Sequence, residues 1–84
     1  MQNKTAIITG SGRRIGKETA IQLADKVRNL VVCSRTRHEI NSVVKKIENI
    51  SNQVNVLGSK CDVRMSSEIN SLIQSTRVFL WNLR

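Results

Sequence analysis

Three short β-branched runs, KTAIIT, NLVVCS and VNVLGSKCDV, are each followed by a stretch of helix length, and no hairpin turn signal joins any two of them. Strands separated by helices cannot pair through a tight turn, so they must run parallel with right-handed crossovers. The order β-α-β-α-β-α then describes an α/β chain, the N-terminal part of a Rossmann-type doubly wound parallel sheet. Strands are expected at about Thr5 to Thr9, Leu30 to Ser34 and Val54 to Ser59, in the spatial order 3-2-1. The first run is apolar on both faces of its alternation, which predicts a strand covered by helices on both sides.

The helices follow from periodicity. Ile15, Thr19, Ala20, Leu23 and Val27 recur at nearly helical spacing, predicting a helix from Arg14 or Ile15 to about Lys26. Thr36 and Glu39 have the spacing of a capping box, and Ile40, Val43, Val44, Ile47 and Ile50 carry that second helix onward, with Lys45, Lys46 and Glu48 toward water. Ser66 is the expected cap of a third helix whose apolar face takes in Ile69, Leu72, Ile73, Phe79, Leu80 and Leu83.

Between the first run and the first helix lies TGSGRRIG, residues 9–16. At a strand-to-helix turn, glycines permit the tight exit from the strand, close approach of a pyrophosphate to the backbone, and close packing of helix on strand. The helix N-terminus adds unpaired N–H groups and a positive dipole. Gly10, Gly12 and Gly16 supply the glycines in a G-x-G-x-x-x-G spacing. Arg13 and Arg14 oppose the helix dipole unless an anion neutralises them, which a bound phosphate does.

An acidic residue about 20 positions beyond such a loop receives the ribose 2′-hydroxyl of NAD. Here the position falls on Ser34 and Arg35, and no carboxylate follows before Glu39. Ser34 can donate to a 2′-phosphate, Arg35 can pair with it, and Arg13 can close over it from the loop. NADP is therefore expected ahead of NAD.

The loop resembles the T-G-x-x-x-G-x-G motif of the short-chain dehydrogenase/reductase family. Thr9 and Gly10 open it, Ile15 is its apolar position and Gly16 closes it. Arg14 stands where most members have the middle glycine, a variant similar to the T-G-x-x-x-R-x-G loop of the pteridine-reductase-like branch. VVCSR at the end of the second strand and the Cys61-Asp62-Val63 segment strengthen the likeness. It implies that the Asp62 carboxylate takes the adenine amino group and that the Val63 backbone meets the ring. The cofactor set is thus Gly10, Ser11, Gly12, Arg13, Arg14, Ile15, Gly16, Ser34, Arg35, Asp62 and Val63.

The likeness extends from Lys4 to about Ser75. Residues 1–75 read as a partial dinucleotide-binding domain and residues 76–84 as a divergent, truncated tail. The family's catalytic Ser and its Tyr-x-x-x-Lys pair lie further along, and the sequence contains no Tyr. Complete domains of this kind need about 200 to 250 residues. These 84 residues therefore look like the NAD(P)-binding fragment of a parent that moves a hydride between NADP(H) and a carbonyl or alcohol. The parent is expected to be a homo-oligomer, and the chain alone is expected to be inactive and marginally stable.

A net charge of +8 calls for an anionic partner and keeps open a small, basic, non-enzymatic nucleotide- or RNA-binding module. One Phe, one Trp and no Tyr argue against the aromatic platforms that RNA binders use. An interaction subunit with an open sheet edge is a third reading. Arg64, with Lys45 and Lys46, reads as a solvated basic face. No apolar run is long enough to span a bilayer, and MQNKTAIIT lacks the layout of a secretory signal. A cytoplasmic setting is expected, with Cys33 and Cys61 as reduced, packed thiols and no metal site.

Overall fold

The computed structural model describes residues 2–10, 14–51 and 53–83. Its elements are β1 (Gln2–Ile8), α1 (Arg14–Leu23), β2 (Val27–Ser34), α2 (Arg37–Ile50), β3 (Asn55–Lys60) and α3 (Ser66–Asn82). The three strands form one parallel sheet in the order β1-β2-β3, with β2 in the middle.

Alternation along β2 builds both layers. Leu30 and Val32 point to one face, where they meet Ala20 and Ala24 beside α1 and Ile40, Val43 and Ile47 of α2, with Ala6 and Ile8 of β1 packed at the margin. Val31 and Cys33 point to the other face, against Cys61, Leu72 and the partly buried Leu57 and Phe79. Two helices thus cover one face and α3 the other, because side chains on a strand alternate sides. Register is marked by a polar ladder: Asn55 Nδ2 donates to Asn29 Oδ1 at 3.0 Å and Asn29 Nδ2 to Thr5 Oγ1 at 3.2 Å. These three residues pair in adjacent strands.

Several local expectations are corrected. β1 lies at the end of the sheet, as the order 3-2-1 has it, but is not covered on both faces: Ile7 is 40% exposed, because α3 packs over β3 and β2. The first helix stops at Leu23 in a tightened turn, Lys26 N–H donating to Leu23 O at 2.9 Å. Val27 therefore leaves the helical stripe and begins β2. The capping box does not form: Thr36 is the N-cap of α2 but makes no side-chain cap bond. Glu39 instead turns toward Ser34, whose Oγ donates to Glu39 Oε1 at 3.3 Å. Met65, not Ser66, occupies the N-cap of α3. Ile50, at the end of α2, is exposed; so are Ile69, Ile73 and Leu83, and the buried face of α3 narrows to Leu72 and Thr76.

Candidate cofactor site

In an open parallel sheet, ligands bind beyond the carboxyl ends of the strands. Those ends here are Ile8, Ser34 and Lys60. A cavity of about 320 Å³ lies just past them, lined by Gly10 from the end of β1, by Ser34, Arg35, Thr36 and Glu39 from the β2–α2 junction, and by residues 61–64 after β3. The last ladder bond holds its two sides together, with Cys61 N–H donating to Ser34 O at 2.8 Å.

Gly10 has φ +62°, a left-handed conformation that side chains other than glycine's rarely adopt. An added Cβ there would find no atom within 4 Å, so backbone torsion, not crowding, explains the glycine. Of the other loop positions, Ser11, Gly12 and Arg13 lie outside the described residues, and of Arg14 only the backbone, opening α1, is described. Gly16 sits in the first turn of α1. Ile15 is 83% exposed and is absent from the cavity wall, unlike Ser34, Arg35, Asp62 and Val63.

The loop after β3 is locked from two sides. Asp62 N–H donates to Glu68 Oε1 at 2.8 Å, and Met65 N–H closes a turn onto Asp62 O at 3.0 Å. Within it, Arg64 clamps the Asp62 carboxylate: Nε donates to Oδ1 at 3.0 Å, Nη2 to Oδ2 at 2.9 Å, and the Arg64 backbone N–H to Oδ1 at 3.0 Å. These bonds, side chain first, hold the Asp62 carboxyl down at about 2. A carboxylate offers about four lone-pair positions, so one acceptor position stays open for a ligand's amino group. Arg64, expected as a solvated surface residue, is exposed as expected and also borders the cavity.

Cys33 and Cys61 are buried thiols that form no disulfide; Cys61 borders the cavity and Cys33 packs with it in the same apolar cluster. Burial is the first cause that pushes both up, with the negative charge of the other thiol adding for Cys33 and that of Glu68 for Cys61. They serve as packing groups, since a protonated thiol is a poor nucleophile. Thr36, Glu39, Cys61 and Arg64 were not legible as wall residues in the sequence. Glu39 is five residues past Ser34, in the first turn of α2, and Arg64 two residues past Asp62, spacings equally suited to solvent.

Parallel strands with helices on both faces, a left-handed glycine after the first strand and a polar cavity at the strand ends define a nucleotide-binding α/β protein. The sequence model described as "short chain dehydrogenase" matches residues 4–82. The chain belongs to the short-chain dehydrogenase family, which binds a dinucleotide cofactor. It is 35% identical over 72 residues to the 7alpha-hydroxysteroid dehydrogenase of Escherichia coli (strain K12), covering 86% of this chain and 28% of that enzyme. An NADPH-dependent reductase involved in bacilysin biosynthesis superposes with a TM-score of 0.82 at 28% identity, over 88% of this chain and 31% of that one. The actinorhodin polyketide ketoreductase, solved as a variant with NADPH, gives 0.78 at 30% identity over 87% and 27%. The chain thus spans under a third of the length of these relatives. The match runs past Ser75, and α3 continues through that point, with Thr76 Oγ1 donating to Leu72 O at 2.8 Å. Among the described residues no helix is long and apolar enough to cross a membrane.

Proposed function

We propose that this chain grips the adenosine end of a dinucleotide, NADP ahead of NAD, within an enzyme that moves a hydride between the nicotinamide and a carbonyl or alcohol. The observation that carries the reading is the cavity at the strand ends, which gathers Gly10, Ser34, Arg35, Asp62 and Val63 from three separate connections. The donor set fits the group. Gly10 leaves open space for a phosphate to approach the backbone, Asp62 keeps an acceptor for the adenine amino group, and Arg35 offers a guanidinium to a 2′-phosphate. Ser11, Gly12, Arg13 and Arg14 complete the phosphate turn in this reading, with Gly16 close behind. The bound cofactor supplies the hydride; these residues bind and orient it.

NADP is favoured because no acidic residue ends β2 and because the fold is shared with one reductase named as NADPH-dependent and one solved with NADPH. The parent is read as a cytoplasmic homo-oligomer, a setting in keeping with two cysteines that form no disulfide. An RNA-binding module is disfavoured by the scarcity of aromatic residues. Titration with NADP, NAD and a single-stranded RNA at two salt concentrations tests the reading. Dinucleotide saturation without a steep RNA salt slope is expected, and Ser34→Asp is expected to shift preference toward NAD. Tight, salt-steep RNA binding with no dinucleotide affinity refutes the assignment.

A further inference from the structure

The structure assigns Glu39 as a selectivity residue at the ribose 2′ position, a carboxylate delivered from the first turn of α2 that weakens the preference for a 2′-phosphate. The inference rests on the dinucleotide reading above and deepens it.

The geometry is specific. The one hydroxyl proton of Ser34 is directed to Glu39 Oε1 at 3.3 Å, while Thr36 N–H approaches Ser34 Oγ at 3.3 Å. Ser34 and Glu39 both line the cavity, with Arg35 between them in sequence and also in the wall. A serine hydroxyl has one proton to give and two lone pairs to offer. With that proton committed to Glu39, Ser34 has none for a phosphate oxygen. A 2′-phosphate entering beside Arg35 therefore meets an attractive guanidinium, a hydroxyl turned away and a repelling carboxylate. The 2′-hydroxyl of an unphosphorylated ribose meets the opposite situation, because it can donate to a Glu39 oxygen and accept from Arg35. Glu39 thus stands in for the acidic residue that the end of β2 lacks, from a position five residues later. Its helical place explains why counting along the chain from the glycine loop passes it by.

Two like charges a few ångströms apart weaken affinity by roughly a factor of ten where the site is open to water. The experiment measures dissociation constants of NADP and NAD for the chain, for Glu39→Gln and for Glu39→Asp, by calorimetry, with the amide NMR spectrum reporting the fold. Gln keeps the shape and still accepts from Ser34 but carries no charge, and the expected result is a rise in the NADP-over-NAD affinity ratio on the order of tenfold. Asp keeps the charge but withdraws it by one methylene, and a smaller rise is expected. A ratio in Glu39→Gln within about twofold of the parent's, or equal loss for both cofactors, overturns the inference while leaving the site intact. Failure of both cofactors to bind the unmodified chain overturns the dinucleotide reading and this inference with it. If Glu39→Gln loses its dispersed spectrum, the Asp variant decides on the same criterion.

Discussion

Gly58 lies in β3 directly beneath α2, and its missing side chain sets how closely the helix approaches the sheet. A Cβ built at Gly58 stands 2.6 Å from Ile40 Cγ2 and 2.9 Å from Val44 Cγ2. Favourable carbon–carbon contact begins at about 3.5 Å, so Gly58→Ala requires a displacement of nearly ~1 Å. Ile40 is fully buried and β-branched, with a single strongly preferred rotamer in a helix, so its γ2 methyl cannot swing clear without strain. Overpacking of this kind costs about 1–3 kcal/mol, and the lower entropy of the unfolded Ala chain offsets about 0.4–1 kcal/mol of it. A net loss of about 1–2 kcal/mol is expected, lowering the urea midpoint by about 1 M for a chain of this size. The assay is circular dichroism through a urea titration, in trimethylamine N-oxide to secure a folded baseline. Ile40→Leu moves the branch from Cβ to Cγ at little change of volume, so in that background the Gly58→Ala penalty should shrink by about 1 kcal/mol. A Gly58→Ala chain as stable as its parent, or strict additivity in the double variant, refutes the close approach.

Replacing Arg64 with Met removes the clamp on Asp62, whose titration midpoint, followed by carboxyl carbon shifts, should climb from about 2 toward the ordinary 3.8. Because the folded value is the depressed one, the stabilisation is present above the ordinary value and lost as pH falls through about 2; the Met variant should lack that acid-side dependence, and an unmoved midpoint sinks the argument. The chain by itself should reduce no carbonyl in a cofactor-dependent assay across a broad substrate panel, since it has no Tyr to act as the family's proton donor. Its thermal transition should be shallow, because Ile7, Ile15, Val78 and Trp81 are left exposed; turnover or a sharp transition contradicts these expectations in turn.

Element type and order were legible in the residues themselves. The unbroken apolar run in NLVVCS and the period near 3.6 from Ile40 to Ile47 reflect a strand buried on both faces and a helix buried on one, and both survive in β2 and α2. The parallel order followed as well, because helix-length connections leave no other short route between strands. Counting from the glycine loop reaches Ser34 and Arg35, and the family resemblance reaches Asp62 and Val63; all four line the cavity at the strand ends, where the parallel topology carries them to one edge of the sheet. What tertiary structure decided was which groups answer each other across that edge. Thr36 and Glu39 have capping-box spacing, yet Ser34 draws the Glu39 carboxylate away from the helix end. Asp62 and Arg64 carried no sign of pairing, but the turn held by Glu68 brings guanidinium and carboxylate face to face at the surface. The apolar composition of β1 signalled burial, while its place at the sheet edge leaves Ile7 partly bare. Periodicity reports the faces of a segment; which neighbour covers a face depends on residues distant in sequence, and that information exists only once the chain has closed on itself.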